Sequence, residues 1–163
     1  MEKKQPIQVH SQAPDFTLED HNGRLFKLSD FKGKKVLLSF HPLAWTPVCS
    51  KQMKSLDDHK ERFDAVDTIA VGLSVDSVPS KNAWAKDLGI HQTRLLSDFW
   101  PHGEVARTYS LFYNEEGFSM RANVIIDEHQ NVAWVKQYPT SQVPDISEVL
   151  RVLTEMKTVK KSD

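Results

Sequence analysis

The sequence predicts an α/β fold, a mixed central sheet flanked by helices with a β-hairpin ahead of it. Three observations carry that prediction. Val36-Leu37-Leu38-Ser39-Phe40 is a continuous apolar run of strand length, the pattern of a strand covered on both faces. The stretch Lys51 to Phe63 places Met53, Leu56, His59 (or Lys60) and Phe63 at three- and four-residue steps, which is helix periodicity. A second apolar run, Thr68 to Val75, then follows, and strand-helix-strand is the unit of a parallel sheet.

The remaining elements follow in order. Ala13 to Leu28 reads as a hairpin, with Phe16-Thr17-Leu18 and Leu25-Phe26-Lys27-Leu28 joined at Asp20-His21-Asn22-Gly23. Asn-Gly offers the positive φ angles of a tight turn. Ser29 to Lys34 is a polar connection. Pro79 is placed to open a helix whose apolar face is Ala83, Trp84 and Leu88 and whose stop is Gly89. Arg94-Leu95-Leu96-Ser97 is a short strand and Gly103 to Tyr109 a short helix. Arg121 to Ile126 and Val132 to Tyr138 are strands whose short link makes them antiparallel neighbours. A last helix starts near Pro144 and buries Ile146, Val149, Leu150, Leu153 and Met156. A βαβ opening closed by an antiparallel pair and a helix describes a thioredoxin-like fold.

Composition removes several function classes. At 163 residues the chain is expected to form one domain, residues 1–163, with a real core. A formal net charge of −1 leaves no basic stripe for nucleic acid and no acidic tail for a charged partner. The longest apolar runs are too short to cross a membrane. Met1-Glu2-Lys3-Lys4-Gln5-Pro6 lacks the apolar core of a signal peptide, so a cytoplasmic location is expected. One cysteine excludes a disulfide framework, a CxxC pair and a Cys-rich zinc site. His10, His21, His59, His91, His102 and His129 show no close ligand spacing with one another or with Cys49, so no metal and no other cofactor is expected. Trp45, Trp84, Trp100 and Trp134 are assigned to the core or an interface rather than to a platform for bases. The Lys-rich end, Lys157 to Lys161, reads as a solvated tail.

The chemistry concentrates in Phe40 to Ser50, between the first central strand and the helix after it. A thiol at such a junction meets backbone N–H groups and the positive end of the helix dipole, both of which favour a thiolate. A lone cysteine is more commonly a small buried hydrophobe, so its neighbours must decide. Pro42, Thr46 and Cys49 form P-x-x-x-T-x-x-C. Three further segments accompany it in order: Ala13-Pro14-Asp15-Phe16-Thr17-Leu18, Ser97-Asp98-Phe99-Trp100-Pro101-His102-Gly103, and Arg121-Ala122-Asn123-Val124-Ile125-Ile126-Asp127, an R-x-x-x-[VI]-[IL]-D strand. On these residues the sequence resembles the peroxiredoxins of the AhpC/TSA family over most of its length. The Ser97 to Gly103 segment resembles one shared by small one-cysteine members related to the mycobacterial alkyl hydroperoxide reductase E group.

The resemblance implies a thiol-dependent peroxidase acting on hydrogen peroxide and organic hydroperoxides. Cys49 would be the nucleophile, and Arg121 the cation whose planar fork reaches both sulfur and peroxide. Thr46 would position the peroxide with a hydroxyl that both donates and accepts. Backbone N–H groups near Val48 and Cys49 would complete substrate binding. Pro42 would shield the thiolate. The residue types alone leave plainer roles open: a solvated strand end for Arg121, a helix cap for Thr46 and a turn for Pro42. Relatives that resolve the sulfenic acid internally can carry a second cysteine five residues on, where this chain has Lys54. The implied partner is therefore an external thiol, namely thioredoxin, glutaredoxin or a low-molecular-weight thiol. A homodimer is expected from the resemblance alone.

Two positions depart from the pattern. His41 stands where many relatives have tyrosine or an aliphatic residue, and it either titrates near the site or packs at the strand end. Gln52 stands where most have a glutamate that holds the arginine, so it would act as a neutral acceptor. Two other functions fit the fold: a redox-sensing or holdase protein switched by Cys49 oxidation, and a binding module with an inert cysteine.

Overall fold

The computed structural model describes residues 7–161, and residues 157–161 by backbone only. Its centre is β3, Lys35–Phe40, in which every residue is buried. β3 runs parallel to β4 (Thr68–Ser74) on one side and antiparallel to β8 (Arg121–Ile126) on the other, so it has no free edge. The continuous apolar run follows from that position, since both faces are covered. β9 (Val132–Tyr138) extends the sheet beyond β8, and β5 (Arg94–Ser97) lies parallel beyond β4. The N-terminal hairpin, β1 (Thr17–Asp20) and β2 (Leu25–Lys27), adds to β5 through β1 and completes a seven-stranded mixed sheet ordered β2-β1-β5-β4-β3-β8-β9.

Two helical crossovers, α1 (Pro47–Asp58) with α2 (Lys60–Asp64), and α3 (Val78–Leu88), link the parallel strands. α4 (Glu104–Thr108) follows β5, and α5 (Ile146–Lys161) closes the chain. The alternation of β3 divides the core. Val36, Leu38 and Phe40 pack with Val71, Leu73, Val105, Ala106 and Tyr109. Leu37 packs oppositely with Met53, Leu56, Trp84, Leu95, Ile125 and Leu153. Ser39 and His41 follow Leu37 in the same parity, and Arg121 and Asn123 follow Ile125, to which Leu37 pairs. The register therefore brings the polar ends of β3 and β8 to the face covered by α1.

The mixed sheet with flanking helices is the predicted fold class, and the boundaries Arg94–Ser97, Arg121–Ile126 and Val132–Tyr138 match the expected ones. Several details differ. The helix expected over Lys51–Phe63 starts four residues earlier, with Pro47 in its first turn, where a missing N–H costs nothing, and it breaks at His59. On α3 the buried residues are Lys81, Trp84 and Ala85, while Ala83 is exposed. A lysine in an inward position hid that phase. Only Gly23 of the Asn-Gly pair has positive φ, because Asp20 Oδ1 accepts from Asn22 N and Arg24 N and closes a four-residue loop instead. A 3-10 turn, Leu28–Phe31, lies in the connection read as polar, and a two-residue hairpin, β6 (Phe112–Tyr113) with β7 (Phe118–Ser119), precedes β8. Such short pairs carry too little periodicity to register. Trp84 is core and Trp134 half-buried, but Trp45 and Trp100 are 51% and 80% exposed. Gly72 has a packing reason: a Cβ there would run into Met53 Sδ and crowd His41 Cε1.

Candidate active site

The loop leaving β3 is held rather than free. His41 N donates to Leu73 O at 3.0 Å, which continues the β3–β4 ladder one residue past the strand. Pro42 is buried, and Ala44 N donates to Asp76 Oδ2 at 2.8 Å, fixing the loop to the end of β4. Trp45 then takes a left-handed backbone, φ +71°, a strained conformation that persists only where neighbours impose it. Its indole Nε1 donates to Ser80 Oγ at 3.2 Å. That residue turns the chain into Thr46, the extended N-cap position of α1.

Thr46 does not cap the helix with its side chain. Oγ1 donates instead to Leu43 O at 2.8 Å and braces the loop, while the oxygen keeps its capacity to accept. Cys49 is the third residue of α1 rather than a residue ahead of it, a refinement of the junction the sequence suggested. The first-turn N–H groups of Val48 and Cys49 have no carbonyl a turn earlier within the helix to accept them. Cys49 Sγ is fully buried among Met53, Leu37 and their neighbours.

Arg121, 72 residues on in sequence, meets it from the start of β8: Nη1 lies 3.3 Å from Sγ. The same nitrogen donates to Gln52 Oε1 at 2.6 Å, and Nη2 donates to Thr140 O at 2.8 Å. Gln52 is fixed in turn, its Nε2 donating to Ser39 Oγ at 2.8 Å and Phe40 O at 3.1 Å. The amide thus bridges the α1 helix, β3 and the arginine. Arg121 is only 3% exposed, and no carboxylate pairs with it among the described residues. The solvated strand end that its residue type allowed is excluded.

His41 lies just past the end of β3, beside Gly72 of β4. It is fully buried, its ring 5.5 Å from that of Trp84, with Nδ1 against Ser39 O at 3.3 Å and Nε2 without a partner. Burial, with Lys81 and Arg121 adding to it, holds its pKa well below 6.5. Of its two readings, the packed histidine is the one that the structure shows. Trp84 Nε1 donates to Ser50 Oγ at 3.1 Å, so α3 touches the residue beside Cys49. Sequence reasoning missed Thr140, whose contribution is a backbone carbonyl without side-chain signature. It also missed Asp76 and Lys81. The Asp76 interaction could have been suspected from a carboxylate just past a central strand, and Lys81 from its three-residue spacing to Trp84.

Cys49 and Arg121 meet from two stretches far apart in the chain, while Pro42 and Thr46 lie in the loop, and Val48 in the first helical turn, that lead to Cys49. A buried sulfur facing a guanidinium, beside unpaired helix N–H groups, can carry and stabilise negative charge.

Comparisons with known proteins point to one family. The AhpC/TSA family pattern matches residues 9–135. The chain is 36% identical over 140 residues to alkyl hydroperoxide reductase E of Mycobacterium tuberculosis, covering 85% of this chain and 91% of that protein. It is 34% identical over 157 residues to a peroxiredoxin of Thermoplasma volcanium, covering 93% and 76% of the two chains. The reduced 2-Cys peroxiredoxin of Plasmodium vivax superposes with a TM-score of 0.86 at 29% identity, over 96% of this chain and 85% of that one. With the pattern spanning most of the sequence and relatives aligned along most of their own length, the chain belongs to the AhpC/TSA family.

Proposed function

We propose that the protein is a thiol-dependent peroxidase that reduces hydrogen peroxide and organic hydroperoxides through Cys49. The observation that carries this reading is the 3.3 Å approach of Arg121 Nη1 to Cys49 Sγ, both buried, with no carboxylate paired to Arg121 among the described residues. A cysteine serving only as core filler has no use for a buried arginine against its sulfur.

In the reaction, Cys49 Sγ attacks one peroxide oxygen in line with the O–O bond. An S–O bond forms as the O–O bond breaks, sulfur is oxidised by two electrons, and the departing oxygen takes a proton to leave as water or an alcohol. Arg121 and the N–H groups of Val48 and Cys49 stabilise the charge that develops on the oxygens. Thr46 Oγ1, oriented by Leu43 O, presents its lone pairs to a peroxide O–H. Pro42 closes the wall of the loop. The product is Cys49 sulfenic acid.

Cys49 is the single cysteine of the sequence, so an external thiol condenses with the sulfenic acid, releasing water, and a second thiol reduces the mixed disulfide. Thioredoxin, glutaredoxin or a low-molecular-weight thiol fits that role, and a cytoplasmic location follows from the need for a reducing thiol pool. Residues 1–163 are read as one domain built on the single large sheet. A homodimer belongs to the same reading: Leu43, Trp45, Phe99 and Trp100 leave exposed apolar surface at the end of the sheet where β3 and β5 finish, suited to cover by a second copy. Sedimentation equilibrium tests it.

The deciding experiment is rapid mixing of the reduced protein with hydrogen peroxide and with an organic hydroperoxide, with the sulfenic acid trapped by a dione reagent. Oxidation far faster than that of free cysteine, abolished in Cys49→Ser, is expected. A rate like that of an ordinary thiol favours the redox-sensing or holdase reading instead. Turnover with each candidate thiol then identifies the reductant.

A further inference from the structure

The turn that delivers Thr46 is held from outside the Cys49 helix. Leu43 and Trp45 are exposed and Ala44 offers the core a single methyl, so hydrogen bonds rather than packing fix this stretch. Trp45 has φ +71°, a left-handed backbone that a bulky residue takes only where neighbours impose it. Two side chains flank the strained position. Asp76, just past β4, accepts from Ala44 N through Oδ2 at 2.8 Å, and Ser80, in the first turn of α3, accepts from Trp45 Nε1 at 3.2 Å. Asp76 is itself pinned to the sheet. The same Oδ2 accepts from Ser74 Oγ at 2.6 Å, and its backbone carbonyl accepts from Ser97 Oγ at 2.6 Å. Asp98 N donates to Ser74 O at 2.8 Å, which ties the end of β4 to the end of β5.

The amide that Asp76 holds and the carbonyl that Thr46 uses belong to one peptide unit. Ala44 N–H points to Asp76 Oδ2, and the Leu43 C=O at the other end of the same bond accepts from Thr46 Oγ1 at 2.8 Å. A peptide unit is planar and rigid, so fixing its N–H end fixes its C=O end. We propose that Asp76 is a positioning residue for the peroxide reaction, which orients the Thr46 hydroxyl through the Leu43–Ala44 peptide. This rests on the peroxidase reading above. The carboxylate polarises the peptide and makes Leu43 O a better acceptor. The proton of Thr46 Oγ1 therefore stays on Leu43 O, and its lone pairs stay turned to the peroxide. Without Asp76 the peptide is free to tilt, the left-handed turn at Trp45 relaxes, and Thr46 loses its fixed acceptor.

The test is a double-mutant cycle on the sulfenic-acid-forming step, measured by rapid mixing of the full chain with hydrogen peroxide. Asp76→Ala is expected to be about tenfold slower than wild type, the scale of a partly misplaced substrate contact. Asp76→Asn, whose amide oxygen still accepts from Ala44 N, is expected to recover part of that loss. In a Thr46→Val background, Asp76→Ala is expected to cost less than about twofold, because the hydroxyl it positions is gone. A merely looser fold would slow both backgrounds alike. Equal losses in the two backgrounds, an Asp76→Ala rate equal to wild type, or no recovery in Asp76→Asn overturns the inference. Should Asp76→Ala fail to fold, Asp76→Glu, which moves the carboxylate out by one methylene, takes its place in the cycle under the same criterion. A wild-type rate like that of free cysteine would instead overturn the peroxidase reading itself, and this inference with it.

Discussion

Arg121 Nη1 donates to Gln52 Oε1 at 2.6 Å, so a guanidinium 3% exposed is anchored by a neutral amide. A carboxylate here would hold the arginine by charge and compete with the sulfur for it. The amide holds it by geometry and leaves its charge for Sγ, 3.3 Å away. Gln52 meets both demands because its Nε2 is itself committed to Ser39 Oγ and Phe40 O.

Gln52→Glu tests that division of labour. The variant is expected to oxidise about tenfold more slowly at neutral pH, the scale of a hydrogen bond to a charged group moved from sulfur to carboxylate. Gln52→Leu removes the anchor and leaves Arg121 and Phe40 O short of a partner, which costs about 1–3 kcal/mol of stability. Denaturant unfolding and rapid-mixing rates measured on the same samples separate the two effects. Equal rates in Gln52→Glu and wild type would refute the role given to the amide.

Arg121→Lys keeps the charge but loses the fork. One ammonium cannot reproduce donors aimed at Gln52 Oε1, Thr140 O and Cys49 Sγ together. The peroxide step is expected to fall about 10²–10³-fold, the range seen when a single oxyanion donor is removed. Arg121→Ala is expected to fall at least as far, and a near-normal rate in Arg121→Lys would mean that charge alone suffices.

Thr46 Oγ1 spends its proton on Leu43 O, so in this site it can serve peroxide only as an acceptor. Thr46→Ser is expected to retain most activity. Thr46→Val, equal in shape, is expected to lose about 10²-fold through misplaced substrate while its unfolding midpoint stays close to wild type. A large loss of stability in Thr46→Val without a specific loss of rate would return Thr46 to a purely structural role.

Much of this was legible in the sequence, for reasons particular elements make plain. β3 is buried on both faces and surrounded by strands, so its apolar run could belong to little else. Cys49, Thr46 and Arg121 were singled out because their segments resemble those of a known family, and the structure brings Arg121 against Cys49 Sγ. What hid was anything written in backbone or in an unusual choice of residue. The Thr140 carbonyl leaves no trace in side-chain identity. The start of α1 at Pro47 was masked because Pro47, Val48 and Cys49 show no helical periodicity, although proline suits a first turn. Lys81 breaks the rule that inward helix positions are apolar, which hid the phase of α3.

Trp84 rather than Trp45 is placed to report the chemistry. Trp45 is nearer in sequence, but its half-exposed indole bonds Ser80. The Trp84 indole is fully buried and bonds Ser50, the neighbour of Cys49 in α1. Oxygen added to Sγ is expected to change intrinsic fluorescence in wild type and Trp45→Phe, and the change is expected to disappear in Trp84→Phe. Its loss in Trp45→Phe alone would show that the loop, not the core, senses oxidation.

His41 makes stability depend on pH in mild acid. In the folded protein its pKa lies well below 6.5, chiefly through burial, so the folded state keeps the ring neutral while the unfolded chain protonates near 6.5. Over that window the unfolded state binds more protons, and stability therefore rises with pH toward 6.5 and is lost as pH falls below it. His41→Phe removes the group and its unpartnered Nε2 while keeping a ring against Trp84. The variant is expected to show a smaller loss of stability between neutral pH and mild acid than wild type, read as a smaller shift in urea midpoint. If the two proteins lose stability equally over that interval, the acid sensitivity lies in other groups and His41 is protonated in the fold.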